Sequence, residues 1–351
     1  MVDLKIKRIR LAILGVLLIV AVVAIVYLFR MTEYTTIAFH MDTYVSYSVR
    51  ARNAEKLVME MDAEFEKCEQ LFSRFSSDSD ISRINENAGE FTEVQKDTYN
   101  LMCEILELSS RTDGAFDPTV GKLVDLWGFG ANPHVPDKDE LDAALQSVNY
   151  RSIRYKEENG KYYVMIAADQ IIDLGAVAKG YALRKVDDIL NQHVVDYAVI
   201  SLGGNVFIKG DKTSDSEGSF SVGIRCPEEE SSEMALIISL KEVVLSTSGS
   251  YERFFYQDGI RYSHIIDPFT GRCDSDEILS VTIVCSDPVD ADALSTAYYV
   301  KGLDETLDAL SSGEIEGILI DSSKVIYISE ELFQYVDRDS IADGYTLEVV
   351  G

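Results

Sequence analysis

Two short stretches of this chain place oxygen donors where a hard metal ion and an anionic ligand can meet. One is Asp290-Ala291-Asp292-Ala293-Leu294-Ser295-Thr296-Ala297, and the other is Ile172-Asp173-Leu174-Gly175-Ala176-Val177-Ala178-Lys179-Gly180. Ahead of the first, Ser286-Asp287-Pro288 reads as a helix start, with Asp287 as N-cap and proline at the first helical position. Asp292 and Thr296 then stand four apart on one helix face, where a carboxylate and a hydroxyl reach the same point in space. That pairing suits Mg²⁺, which takes one or two carboxylates and completes its shell with water and substrate phosphate. In the other stretch, apolar residues at Ala178, Ala182, Val186, Ile189 and Leu190 predict a loop feeding a helix. Asp173 and Lys179 flank Gly175, whose missing side chain lets backbone approach a ligand closely. Taken alone, that stretch reads equally as a plain strand-loop-helix connection with a surface lysine.

His264 is one of 4 histidines and sits just before the turn Asp267-Pro268-Phe269-Thr270-Gly271. An imidazole there is suited to accept a proton from an attacking hydroxyl. Asp292 competes for that role, and a structural histidine capping the turn is the third reading. Ser246, Thr247 and Ser248 precede Gly249; they read as phosphate or acceptor ligands, or more simply as a tight serine-rich turn. The serines lack a G-x-S-x-G or S-x-x-K setting, which disfavours a nucleophilic hydrolase. Trp127, between Leu126 and Gly128, reads as an aromatic packed over a turn rather than a ring for stacking on a ligand.

The elements that must position these residues predict an α+β fold. Residues 54–72 and 97–111 carry helical periodicity, while 197–202, 242–246, 278–285 and 317–320 read as buried strands. Asp258-Gly259 and Asp321-Ser322-Ser323-Lys324 are hairpin turn signals. Residues 213–233, rich in Ser, Asp and Glu, read as a surface loop between strands. With only 6 prolines, no low-complexity tract and no repeat, residues 31–351 are expected to form one large domain or two intimately packed lobes.

Residues 1–30 are of another kind. Leu11 to Phe29 is an unbroken apolar run preceded by Lys5, Lys7, Arg8 and Arg10, long enough to span a bilayer with the basic end cytoplasmic. The run ends Tyr27-Leu28-Phe29-Arg30 without a small-residue cleavage site, so an uncleaved anchor is expected over a secretory signal, and a catalytic domain outside the cytoplasm. This segment carries +4, so the rest of the chain carries −32 of the −28 total. Such a surface excludes nucleic acid as a natural partner and keeps the protein soluble. An anionic dinucleotide needs local cations here, which Mg²⁺ and Lys179 would supply. The 5 cysteines show no C-x-x-C spacing and read mostly as core residues, with at least one left a thiol.

Seven segments in order resemble those of the FAD:protein FMN transferases, the ApbE-type flavin transferase family: FSSDSDISRIN from Phe75, TDGAFDPTVGKLVDLWGFG from Thr112, IDLGAVAKGYA from Ile172, SLGGN from Ser201, STSGSY from Ser246, HIIDPFTG from His264 and DADALSTA from Asp290. The resemblance covers nearly all of the chain after its first forty residues. It implies an α+β fold of antiparallel sheet and packed helices. The implied reaction transfers FMN from FAD to a Ser or Thr hydroxyl of an exported or membrane-bound flavoprotein, with AMP leaving. By the same resemblance, Mg²⁺ is held by Asp292, Thr296 and the backbone carbonyl of Ala176, and the flavin contacts are Met41, Phe75, Ala115, Phe116, Asp117, Asp173, Lys179 and Ile266. Two departures stand out. The first cysteine is Cys68, so no lipoprotein cysteine is present, and Met41-Asp42-Thr43 stands where the family commonly has Met-Gly-Thr. A FAD pyrophosphatase, using water as acceptor, and a tethered flavin-binding module without turnover remain the alternatives.

Overall fold

The periodicity over residues 54–72 is an α-helix with those bounds, Ala54–Phe72, and Leu57, Val58, Met61, Phe65, Cys68 and Leu71 all turn inward. It packs on a nine-stranded sheet in this computed structural model, which describes residues 5, 7, 10, 11, 13–21 and 30–351 other than 130–131, 213–217, 229–232 and 275–276. The strand order across the sheet is Met31–His40, Thr43–Arg52, Val195–Leu202, Asn205–Gly210, Val243–Gly249, Ile278–Cys285, Gly317–Asp321, Val325–Ser329 and Thr346–Val350. All neighbours are antiparallel except the last two, which pair in parallel. Ile278–Cys285 lies mid-sheet with Val281, Thr282, Ile283 and Val284 all buried, which is why it reads as a continuous apolar run rather than an alternation.

Helices Ala54–Phe72, Ala178–Leu190 and Pro288–Lys301 pack against one another over one face of the sheet. The main core lies there, built from Val45, Tyr47, Val49, Met61, Phe65, Val186, Ile200 and Leu202 among others. On the other face a small sheet of Val336–Asp337, Met234–Leu240 and Phe220–Arg225 buries Ile208, Val222, Ile224, Leu236, Ile238 and Leu245 in a second core. The α+β architecture is as expected. The surface loop expected over 213–233 is corrected in part, because Phe220–Arg225 within it is a strand paired with Met234–Leu240. Its inward residues are only Val222 and Ile224, too few to stand out among Ser, Asp and Glu.

Met41 and Asp42 form the two-residue turn joining the first two strands, with φ of 51° and 60°. Two left-handed residues match the twist of the flanking strands, and Asp is among the few side chains that adopt that region. The departure from Met-Gly-Thr is therefore tolerated by the backbone. Trp127 is buried, donates from Nε1 to the Gly271 carbonyl at 2.8 Å, and packs with Phe129, Phe255 and Tyr262 over the left-handed Gly128 that caps its helix. All five cysteines are free thiols, three of them fully buried. Residues 11 and 13–21 are helical, and residues 12 and 22–29 of the apolar run lie outside the described residues. Among the described residues no helix is long and apolar enough to cross a membrane.

Candidate active site

Helix Pro288–Lys301 begins as its sequence predicts, with the Asp287 side chain accepting from the amides of Val289 and Asp290. Its neighbour Ala178–Leu190 has Val177 at the N-cap, a residue with no side-chain acceptor, so its first amides need a partner from elsewhere. Asp292 supplies it. The Gly180 N–H donates to Asp292 Oδ2 at 2.8 Å, so one helix caps the other with a carboxylate at its positive end. Only glycine permits that approach, since a Cβ at position 180 would stand 2.3 Å from the Pro288 carbonyl oxygen and 2.8 Å from Asp292 Cβ. Gly180→Ala is expected to destabilise the fold by about 1–3 kcal/mol through overpacking and to displace Asp292. A urea midpoint lower than wild type, with transfer activity reduced, checks this; an unchanged midpoint counts against the close helix contact.

Asp292 is 4% exposed. Its Oδ1 accepts from Asn205 Nδ2 at 3.0 Å, with Ser246 Oγ 3.3 Å and Lys179 Nζ 3.9 Å away. The Ser246 hydroxyl donates to Asn205 Oδ1 at 2.7 Å and so fixes the amide that faces the carboxylate. One turn along, Thr296 Oγ1 lies 3.0 Å from Ser248 Oγ, which in turn lies 2.9 Å from Ser295 Oγ. The residues 246–249 are part of strand Val243–Gly249 and not the tight turn expected of them. Alternation then sends Ser246 and Ser248 to the helices and Thr247 to the opposite face, where it meets Thr282 at 2.8 Å.

The donors present fit a hard cation. Asp292 retains acceptor capacity on Oδ2, Thr296 is half-buried, and no hydrogen bond is made to the Ala176 carbonyl among the described residues. The amide that would return to it in a regular helix, that of Gly180, goes to Asp292 instead. The same carboxylate thus frees the backbone oxygen assigned beside it. A different acidic group, Glu104, Asp287 and Asp290, brings three carboxylates together. Arg184 pairs with Glu104 and Asp287, and Arg111 with Asp290, so those charges are already balanced by cations.

His264 is half-buried, and its ring Nδ1 faces the Arg253 carbonyl at 3.3 Å while its own amide donates to the same oxygen at 2.9 Å. A carbonyl only accepts, so Nδ1 carries the proton and Nε2 holds the free lone pair. Burial, with the charges of Lys179 and Arg253 added, pushes the imidazole down to about 4 from its ordinary 6.5, against a smaller opposing effect of the Arg253 hydrogen bond. At neutral pH the ring is an uncharged acceptor. A buried carboxylate on helix Pro288–Lys301, a lysine 3.9 Å from it and an uncharged imidazole are groups of the kind a phosphoryl transfer uses.

The profile of the ApbE family matches residues 41–319 of the chain. The chain belongs to the ApbE family. An FAD:protein FMN transferase of Treponema pallidum is 35% identical over 289 residues, 79% of either chain, and one of Vibrio cholerae is 31% identical over 76% of this chain and 80% of its own. The crystal structure of the ApbE protein of Thermotoga maritima superimposes with a TM-score of 0.79 at 32% identity, covering 87% of this chain and 99% of that one. The flavin transferase ApbE of Vibrio cholerae gives 0.75 at 28% identity, over 87% and 100%.

The positions that the resemblance assigns to the flavin sort into four groups. Phe75 is 80% exposed, its ring free except for the Arg74 guanidinium 5.0 Å from its centroid, so it takes no part in the core. Met41 is half-buried at the turn beside Glu69, and Lys179 is half-buried beside Asp292. Ala115 and Phe116 are buried in the main core, and Ile266 is buried with Leu123, Trp127 and Tyr262, so the chain there presents backbone rather than free side chains. Asp117 and Asp173 already accept hydrogen bonds. Asp117 takes the Thr119 amide at 2.8 Å, its hydroxyl at 2.6 Å and the Tyr150 amide at 3.0 Å; Asp173 takes the Gly175 amide at 2.8 Å and Arg74 at 3.2 Å. Sequence reasoning passed over Arg74, which ties Asp173 and Asp125 to the Gly121 carbonyl, and Asn205 and Ser295 behind Asp292. Asn205 lay inside the SLGGN segment, which was the available signal; Arg74 lay one residue ahead of FSSDSD. Phe75→Ala is expected to leave the thermal midpoint unchanged and to weaken FAD binding several-fold, read by flavin fluorescence titration. Unaltered affinity removes the ring from the flavin site.

Proposed function

We propose that the chain transfers FMN from FAD to a Ser or Thr hydroxyl of another protein and releases AMP. The acceptor oxygen forms the new bond to the FMN phosphorus, the bond from that phosphorus to the bridging oxygen breaks, and AMP departs with that oxygen. Membership in the ApbE family and the activity named for its curated relatives support this reading. The observation that carries it is the meeting of Asp292, Lys179 and the hydroxyl of Thr296 at the end of one helix and the side of another. His264 Nε2 takes the acceptor's proton, being neutral and unprotonated at physiological pH. Lys179 offsets the charge on the diphosphate, and Phe75 stacks on a planar ring.

Asp292, Thr296 and the Ala176 carbonyl would hold Mg²⁺. The bound ion supplies charge neutralisation of the diphosphate and orients it for in-line displacement. Removing divalent ions with EDTA is expected to abolish transfer to the acceptor, with recovery on adding Mg²⁺. Undiminished transfer in metal-free buffer takes the ion out of the reaction.

The apolar run from Leu11 to Phe29 anchors the protein in the cell membrane, with residues 31–351 outside the cytoplasm, where exported or membrane-bound flavoproteins would meet them. Retention in the membrane fraction after alkaline carbonate extraction supports the anchor. Release into the supernatant contradicts it.

A further inference from the structure

Five residues from five adjacent strands form one line across the main sheet. Ile37 pairs with Ser46, Ser46 with Ser201, Ser201 with Val206, and Val206 with Leu245. Alternation puts this row on the face opposite Tyr47 and Ile200, which lie under the helices, and opposite Asn205 and Ser246, which hold Asp292. At the hairpin end the row is open and apolar, with Ile37, Phe39 and Tyr44 exposed by 67%, 60% and 72%. Phe39 and Tyr44 pair across the strands, their rings edge to face at 5.4 Å. Three large apolar side chains side by side on a solvent face mark an interaction surface rather than scattered exposure.

At its other end the row runs into a cavity of ≈ 190 Å³ lined by Val206, Val222, Ile224, Leu245, Tyr251 and Glu252. That volume falls short of the roughly 300–1,000 Å³ of small-molecule sites and suits one or two side chains of a polypeptide. Gly204 lines the cavity and belongs to the Gly203-Gly204 turn, with φ of 47° and 88°. Glu252 Oε1 stands only 3.0 Å from where a Cβ on Gly204 would be, and the next residue of the turn, Asn205, donates from Nδ2 to Asp292 Oδ1 at 3.0 Å on the opposite side. The outer face and the catalytic residues therefore meet at this turn, although they lie on opposite sides of the sheet.

We propose that this face, from Ile37, Phe39 and Tyr44 to the cavity beside Gly204, docks the acceptor protein, whose segment next to its hydroxyl residue seats a side chain in the cavity. The inference rests on the flavin-transfer reading, which requires a macromolecular acceptor held against the end of the dinucleotide. One uninterrupted face, apolar at the hairpin, crossing Ser46 and Ser201, and ending at the cavity beside the turn that holds Asp292, selects that occupant. Docking on the open face explains why the hairpin keeps three large apolar side chains exposed.

The test uses the exported flavoprotein domain that gains one FMN when incubated with the wild-type chain, FAD and Mg²⁺. In the triple variant I37S/F39S/Y44S, KM for that acceptor is expected to rise ten-fold or more, with kcat at saturating acceptor and FAD affinity unchanged. Val206→Phe, which fills the cavity, is expected to raise the same KM. An unchanged acceptor KM in the triple variant overturns the proposal. So does a triple variant that loses a wild-type dimer in size-exclusion chromatography at unchanged KM, which gives the face to a second copy of the chain. A wild-type chain that labels no acceptor defeats the transferase reading and this one with it, whereas labelling by wild type and triple variant alike defeats the docking surface alone.

Discussion

Replacing Asp292 by asparagine is expected to reduce transfer by on the order of 10²–10³ in kcat, the cost of removing one charge-stabilising group from a reaction centre, while leaving the fold nearly as stable as wild type. The asparagine oxygen still accepts the Gly180 N–H, which the carboxylate takes at 2.8 Å, and its NH2 meets Asn205, whose amide turns over to present its oxygen, so the helix contact survives. The charge does not survive, and with it goes the only side-chain carboxylate of the Asp292, Thr296 and Ala176 set. Asp292→Ala separates the two roles. It leaves the buried Gly180 amide and the Asn205 side chain without their acceptor, at about 1–3 kcal/mol for each unsatisfied group. Urea midpoints and transfer rates measured on both variants distinguish a carboxylate used in chemistry from one used only to cap a helix. Wild-type turnover by Asp292→Asn assigns it the structural role.

His264→Ala is expected to lower transfer by about 10²–10⁴ and to leave FAD affinity unchanged. The geometry makes the imidazole a ready base, because the Arg253 carbonyl fixes the proton on Nδ1. With the ring pushed down to about 4, the base is in its working form throughout the neutral range. Transfer is therefore expected to be flat with respect to this group from pH 6 to 8, and to fall only as the pH drops toward about 4. The sign of the stability effect follows from the same shift. The unfolded chain protonates this histidine below its ordinary 6.5 and the folded chain does not until about 4, so stability declines as pH falls through that window. His264→Gln removes that decline. A titration of His264 near 6.5 in the folded protein, followed by NMR, contradicts the burial of its charged form.

The sequence carried the regular parts of the fold because their patterns are local. Eight inward residues at helical spacing define Ala54–Phe72, Asp258-Gly259 joins Phe254–Gln257 to Ile260–Ser263, and Asp287-Pro288 starts its helix. What it could not carry depends on partners far along the chain. Strand Phe220–Arg225 exists because Met234–Leu240 pairs with it, and Ser246 is a strand residue because Asn205 and Asp292 lie opposite. The first hairpin likewise hides its turn, since Met41-Asp42 contains neither glycine nor asparagine. At the site, the residue types at 264, 292 and 296 were legible. The reason for their placement was not: Asp292 points at Gly180 because Val177 leaves that amide uncapped, a relation across 112 residues.

The central claim is that an acceptor protein, and not water, receives FMN from FAD in a reaction that depends on Mg²⁺ and Asp292. Intact-mass analysis of a candidate acceptor incubated with the chain, FAD and Mg²⁺ addresses it directly. The account predicts that the acceptor gains the mass of one FMN through a Ser or Thr, with one AMP released, and that neither occurs with EDTA or with Asp292→Asn. Free FMN and AMP with every acceptor unmodified, or FAD bound and unchanged, would contradict it.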